Sequence, residues 1–282
     1  MTTRRFRIVH ATSFAYTGPV SSSHNEVRMT PLTEEGQATL ESRLRIRPLT
    51  WSHVYRDYWG THTTAIEASG VHERLEIEAV STVERYSVTG PDAAPASWED
   101  LAADLVRDRQ FEWLDQRSKT LLPDDVLAGF AEATAGTSPV DAVTLVVGRI
   151  HDHLDYESGH TGANSRAAEA WVAGKGVCQD FVHATLGALR HLGIPARYVS
   201  GYLAPDPDAP IGQTLAAESH AWVEWWDGAW HGIDPTNRRG VGLDHVTVAR
   251  GRDYEDVAPF KGVYLGDEEA KLTVEVTITR LS

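Results

Sequence analysis

Hydrophobic and polar positions alternate with a period of two through much of the first 90 residues. Leu40, Ser42, Leu44 and Ile46 fall on one face of such a segment, and Glu41, Arg43, Arg45 and Arg47 on the other. Leu75, Ile77 and Ala79 alternate with Glu76 and Glu78 in the same way. Successive side chains of a strand point to opposite sides, so both segments predict an antiparallel sheet with one face in water. Residues 89–97, TGPDAAPAS, replace the pattern with small residues and prolines and read as a linker.

Beyond the linker the spacing turns helical. Residues 98–110 and 124–134 suit short helices. Thr137-Ser138-Pro139 supplies a hydroxyl cap and a first-turn proline, with Asp141 following, and predicts a helix to about residue 154. Another is predicted over 178–192, where Gly193 ends it and Pro195 prevents its return. Strands follow at 197–202, 220–226 and 230–233. A closing strand alternates Leu272, Val274, Val276 and Ile278 with Thr273, Glu275 and Thr277. The chain thus divides into an antiparallel β-domain at 1–90 and an α+β domain, helices first and sheet after, at 98–282. It shows no internal repeat and no low-complexity tract.

A chain of 282 residues can build a sizeable core without a disulfide or metal staple. Its 40 acidic and 26 basic residues leave a net charge of −14, which argues against nucleic acid or an anionic membrane as partner. A hydrophobic content of 41% with nine tryptophans argues against disorder. The single cysteine excludes an intrachain disulfide and the paired-cysteine metal and redox motifs. The opening MTTRRFRIVHATSFAY lacks the apolar run of a signal peptide, and no stretch approaches the roughly 20 apolar residues of a membrane span. The expected location is the cytoplasm.

That cysteine, Cys178, lies in Gly174-Lys175-Gly176-Val177-Cys178-Gln179-Asp180, where a loop meets a predicted helix. A thiol at a helix start meets unpaired N–H groups and the positive end of the helix dipole, which favour thiolate; the same N–H groups can hold an oxyanion. The plain alternative is a small buried hydrophobe. A nucleophilic thiol needs a base, and the base an orienting group. His220 lies in the aromatic strand Ser219-His220-Ala221-Trp222-Val223-Glu224-Trp225-Trp226. The chain turns at Asp227-Gly228 and returns as Trp230-His231-Gly232-Ile233-Asp234-Pro235. A hairpin brings Asp234 beside His220; the plain alternative is two ordinary strand residues. The hairpin carries a condition. A two-residue turn would pair Trp226 with Ala229 and send His220 and Asp234 to opposite faces. A three-residue loop, Asp227-Gly228-Ala229, pairs Trp226 with Trp230 and keeps them on one face, so an odd loop or a bulge is expected.

These residues carry a resemblance. Gly176-Val177-Cys178-Gln179-Asp180-Phe181-Val182-His183, the stretch from Arg190 through Gly193-Ile194-Pro195 to Tyr202, Ser219-His220-Ala221-Trp222-Val223-Glu224 and Asp234-Pro235-Thr236-Asn237 resemble the core of the bacterial transglutaminase-like family. Gly251-Arg252-Asp253-Tyr254-Glu255-Asp256-Val257-Ala258-Pro259 resembles its later part, and His10, Thr12, Tyr16 and 27–31 its N-terminal β-domain. Thr61 departs from the asparagine that relatives often carry after the glycine of a turn. The resemblance implies a papain-like, transglutaminase-like α+β core behind an N-terminal antiparallel β-domain. It implies a Cys178 nucleophile, a His220 base and an Asp234 orienting carboxylate, acting on a peptide or protein amide without a cofactor. Hydrolysis of a peptide or isopeptide-like amide is the expected reaction. Amine transfer in cross-linking, or a non-catalytic binding or assembly module on the same fold, are the alternatives. Oligomeric state is open.

Other constellations weigh less. His151, His153, Asp155, Glu157 and His160 lack the spacing of a helical metal site and read as a solvated helix end and loop. Gly174 and Gly176 lack the Lys-Ser/Thr ending of a phosphate loop, and no GxSxG elbow is present. Tyr156 and Trp171 are expected in core packing, with lining the site or assisting the oxyanion as the alternative, Arg197 against a carboxylate such as Asp180, and Arg43, Arg45 and Arg47 on a wet strand face.

Overall fold

A computed structural model describes residues 2–88, 95–108, 110–266 and 269–282; residues 89–94 of the expected linker lie outside the described residues. The chain opens with β1 (Thr3–Val27), β2 (Gln37–Arg47), β3 (Trp51–Arg56) and β4 (His62–Tyr86). β1 and β4 pair antiparallel along most of their length, and β2 and β3 add to the far edge of β4. The period-two reading holds where it is cleanest: Leu75, Ile77 and Ala79 are buried, while Glu76 and Glu78 face out. Leu40 differs from expectation and is exposed. The register slips between Thr39 and Glu41, and the extra residue of this bulge leaves the alternation. Arg43 and Arg45 stand on the wet face, paired with Glu41 and Glu78.

The helices α1 (Trp98–Arg107), α2 (Asp124–Ala133) and α3 (Pro139–His153) follow, with a short 3₁₀ turn at Gln110–Leu114. Ser138 caps α3 by accepting from the backbone N–H of Asp141 at 3.2 Å. A two-strand parallel pair, β5 (Asp155–Tyr156) and β6 (Lys175–Gly176), brackets α4 (Ala167–Ala173). The next helix, α5 (Cys178–His191), is buried on all sides from Gln179 to Arg190, as a helix enclosed by other layers must be.

The remaining elements are β7 (Ala196–Leu203), β8 (Thr214–Ala217), β9 (Ser219–Trp226), β10 (Trp230–Asp234), β11 (Arg239–Gly240), β12 (His245–Gly251), α6 (Tyr254–Val257), β13 (Phe260–Leu265) and β14 (Ala270–Arg280). Among the described residues a five-stranded sheet has the order β11-β10-β9-β7-β12, and α5 packs on β9 and β7. The closing strand, placed by its position in sequence with the 98–282 half, pairs instead with β1. β4 covers one edge of β1; β13 and β14 cover the other, and β8 adds to β14. Alternation identifies a strand with one apolar face but not the edge that receives it. The outcome is a shared core in which Phe6, Ile8, Val83, Val276 and Ile278 join Phe181, Leu186 and Leu189 of α5, beside a smaller cluster of Val27, Ile66, Leu75 and Ile77 within the first sheet. Among the described residues no helix is long and apolar enough to cross a membrane.

Candidate active site

Cys178 is the first residue of α5, partly exposed and unbridged. The turn before it is held by Asp180, which is buried and accepts from the Val177 N–H at 2.8 Å and from the Thr161 hydroxyl at 2.6 Å. Burial raises the Asp180 pKa, and these two bonds only partly oppose the shift. Gly176 leaves room for this cap, since a Cβ there would lie 2.6 Å from the Asp180 Cβ. The thiol is thereby fixed at the mouth of a rigid helix.

The hairpin between β9 and β10 has the expected odd loop. Trp226 pairs with Trp230 and Val223 with Ile233, and Gly228 takes a φ of 97° in the three-residue turn. Asp234 therefore lies on the His220 side, and His220 Nε2 meets Asp234 Oδ2 at 2.8 Å. Cys178 faces the same cleft as His220, close enough for its thiol to act on the imidazole's titration. With Nε2 taken by the carboxylate, Nδ1 is the nitrogen left for the thiol. Burial pulls the His220 pKa down, but the bond to Asp234 and the neighbouring Cys178 outweigh it and push the value up to about 9. The structure thus brings together Cys178, His220 and Asp234.

Asp234 is wholly buried and densely solvated by protein donors. Oδ1 accepts from the backbone N–H groups of Thr236 and Asn237, both at 3.1 Å. Oδ2 accepts from Asn237 Nδ2 at 2.7 Å as well as from His220, and His245 Nε2 lies 3.2 Å away. Burial opposes ionisation, yet this set of donors holds the carboxyl well below the usual carboxylate range. Asn237 carries a usable signal, three residues after the aspartate in a turn. His245 carries none, because it arrives from another strand.

Among the described residues, His220, Asp234 and His245 form a group of potential metal ligands whose donor atoms lie within 4.8 Å of one another. Their contacts are hydrogen bonds, and a cation there would have to displace the imidazole protons from a carboxylate already engaged by Asn237. His153 stacks on Trp171 at 3.8 Å between ring centroids, and Glu157 pairs with Lys175.

A cleft of about 420 Å³ opens over Cys178 and His220. Tyr156, Tyr198 and Tyr254 line it, with Glu218 at its rim and Val274 and Val276 of β14 forming one wall. Tyr156 is thus a cleft residue, half exposed, and not a core residue; Trp171 packs edge-on to Phe130 as expected. Arg197 meets a carboxylate, but Glu224 across the strand pair rather than Asp180, at 2.6 Å, with its guanidinium 3.9 Å from the Trp230 ring centroid. Asp180 is occupied in capping its own helix.

Residues 128–235 match the model of the transglutaminase-like superfamily, and residues 6–84 that of the bacterial transglutaminase-like N-terminal region. The chain belongs to the transglutaminase-like superfamily. A solved structure of a Cytophaga hutchinsonii protein, provisionally named a cysteine protease, superposes with a TM-score of 0.75 at 21% identity, covering 100% of this chain and 92% of that one. An uncharacterized protein of Mycobacterium leprae is 40% identical over 278 residues, 99% of each chain. A protein-glutamine gamma-glutamyltransferase of Pseudomonas aeruginosa is 36% identical over 81 residues, 27% of this chain and 12% of that one. The transglutaminase-like superfamily is one of thiol enzymes. Its matched core contains Cys178, His220 and Asp234; Asn237 and His245 lie beyond its end.

Proposed function

We propose that this protein is a thiol-dependent amide acyl-transfer enzyme that hydrolyses a peptide or isopeptide-like amide. One observation carries the reading: His220, hydrogen-bonded to buried Asp234, shares an open cleft with the Cys178 thiol at the start of a helix. In the first half-reaction His220 takes the Cys178 thiol proton and the sulfur attacks the carbonyl carbon. The Cys178 N–H, at a helix position without an intrahelical acceptor, donates to the oxyanion. The His220 imidazolium passes its proton to the leaving amine, giving a thioester and a free amine. His220 then takes a proton from water, which attacks the thioester, and returns it to the departing sulfur, releasing the acid and the thiol. Asp234 keeps the imidazole in the Nδ1-facing orientation throughout. No step requires a cofactor.

Water reaches any cleft in which Cys178 is accessible, whereas transfer requires that an amine be held there. A second reading, transfer to an amine, is favoured by Glu218, an exposed carboxylate at the cleft rim placed to attract a cationic amine. The Pseudomonas aeruginosa relative's name belongs to that chemistry. A peptide-library screen with and without a labelled primary amine separates the two. Hydrolysis predicts ammonia or amine release without incorporation; sustained incorporation into a glutamine-bearing protein supports transfer. In either case Cys178→Ala abolishes turnover with a near-native Tm, and residual activity above a trace places the nucleophile elsewhere.

A further inference from the structure

His245 sits at the start of β12, wholly buried, with its ring edge-on to Trp222 at 5.2 Å between centroids. Its strand is pinned from both sides. β7 pairs with it, and the buried side chain of Gln37, from β2, bonds both the N–H and the carbonyl of Thr247 at 2.8 Å. Arg85 of β4 donates to the carbonyl of Gly242 in the preceding turn. The imidazole is therefore delivered to Asp234 by the first sheet and the second together.

The protonation of its two nitrogens follows from their neighbours. Nε2 faces Asp234 Oδ2, an acceptor, at 3.2 Å. Nδ1 faces the N–H of Gly242 at 3.1 Å, which can only donate, and Asp244 Oδ1 at 3.2 Å. The shorter contact, the Gly242 N–H, favours a neutral ring with Nδ1 bare and the proton on Nε2; a proton on Nδ1 would instead serve Asp244. The cation carries a proton on Nε2 as well. In the cation and in this tautomer alike Nε2–H points at Asp234.

We propose that His245 is a positioning residue of the site: through Nε2–H it holds the Asp234 carboxylate in the orientation that captures His220. The inference rests on the proposed thiol chemistry and deepens it. His220 has its Nε2 on the same oxygen, Oδ2, so a carboxylate that rotates about its Cβ–Cγ bond leaves His220 without a partner. Asn237 and the backbone N–H groups fix the carboxylate from the turn side, whereas His245 fixes it from another strand. The charged or titratable groups around His245 are Asp234 of β10, Asp244 with its partner Arg239 of β11, His220 of β9, and Arg85 of β4.

The test needs no substrate, because Cys178 is the only cysteine and iodoacetamide reports its reactivity alone. Loss of a hydrogen bond to a charged group predicts that His245→Leu slows alkylation at pH 7 by about tenfold. In the same variant the His220 titration midpoint, followed by NMR, moves down from its raised value. His245→Gln, which keeps an N–H near the Nε2 position, recovers the rate to within about threefold of wild type. A purely structural role lowers Tm and leaves rate and titration untouched; that result overturns the inference. If the variants do not fold, the imidazole ¹⁵N shifts of the wild-type protein decide. A proton on His245 Nε2 is expected, and a bare Nε2 overturns the proposal. A wild-type thiol no faster than glutathione refutes instead the thiol chemistry, a distinguishable failure.

Discussion

His220 and Asp234 stand 14 positions apart in the chain and meet at 2.8 Å because the loop between their strands contains three residues. Cross-strand partners in an antiparallel pair point to one face, as do diagonal neighbours two residues away. With Trp226 opposite Trp230, Asp234 falls diagonal to His220; with Trp226 opposite Ala229 it would point into the other layer. The Asp227-Gly228 pair resembles the two-residue hairpin signal but here belongs to a longer loop, closed by the Asp227 N–H on the Ala229 carbonyl at 3.1 Å.

Gly228 is the position where this loop needs glycine, with its φ of 97°. Gly228→Val is expected to destabilise the fold by about 1–2 kcal/mol, read as a Tm lower by a few degrees. The substitution keeps the loop at three residues, so the folded variant retains the register and the raised His220 titration. A lost titration would mean that the loop's conformation, and not its length alone, positions Asp234.

The raised His220 value, about 9, sets an alkaline limit. Its folded pKa lies above the unfolded value, so its stabilisation is full below about pH 6.5 and is lost as pH rises through 9. Turnover should fall over the same upper range as the imidazolium that protonates the leaving amine disappears. Asp234→Asn removes the main charge that raises His220. In that variant the alkaline loss of Tm between about pH 7 and 10 should shrink.

At the acid end the sign reverses. Glu224 is buried between Arg197 and Arg250, and burial, which raises its pKa, is outweighed by the two guanidinium groups, which take it down to about 2. Asp234 and Asp244 are held low by their own partners. Carboxylates with lowered folded values stabilise above their unfolded pKa, about 4, and lose that contribution as pH falls through the folded value. Urea titrations should show stability declining from about pH 4 toward pH 2. Glu224→Gln, which leaves the largely buried Arg197 without its counter-charge and Arg250 with Glu34 alone, should cost about 3 kcal/mol at pH 7 and flatten that acid slope.

The cleft wall supplied by β14 predicts a specificity effect. Val274 is about half exposed at 48% and lines the cleft, so Val274→Asp should change Tm little. With a peptide substrate from the library screen, KM should rise more than kcat falls. An unchanged KM would remove β14 from the substrate path.

The elements around the site were legible in the residues. The period-two pattern marked β14, the aromatic run on either side of Asp227-Gly228 marked β9 and β10, the Ser138-Pro139 start marked α3, and the glycine-bearing turn before Cys178 marked the mouth of α5. The hairpin condition was legible too, because side-chain direction along a strand is a matter of counting.

What no counting supplies is which distant surface a side chain meets. β14 reads as a strand wherever it lies, and only the free edge of β1 and the shared core of Phe6, Ile8 and Val276 decided its place and built the cleft wall. Arg197 needed a carboxylate, and the pairing of β7 with β9 made it Glu224, while Asp180 was already occupied by the turn it caps. His245 lies eleven residues past Asp234 with no periodic relation to it, and reaches the carboxylate because β12 joins the opposite side of the sheet through β7. Local structure follows from backbone geometry, which repeats within a few residues. Contacts between elements follow from packing, which depends on every face at once.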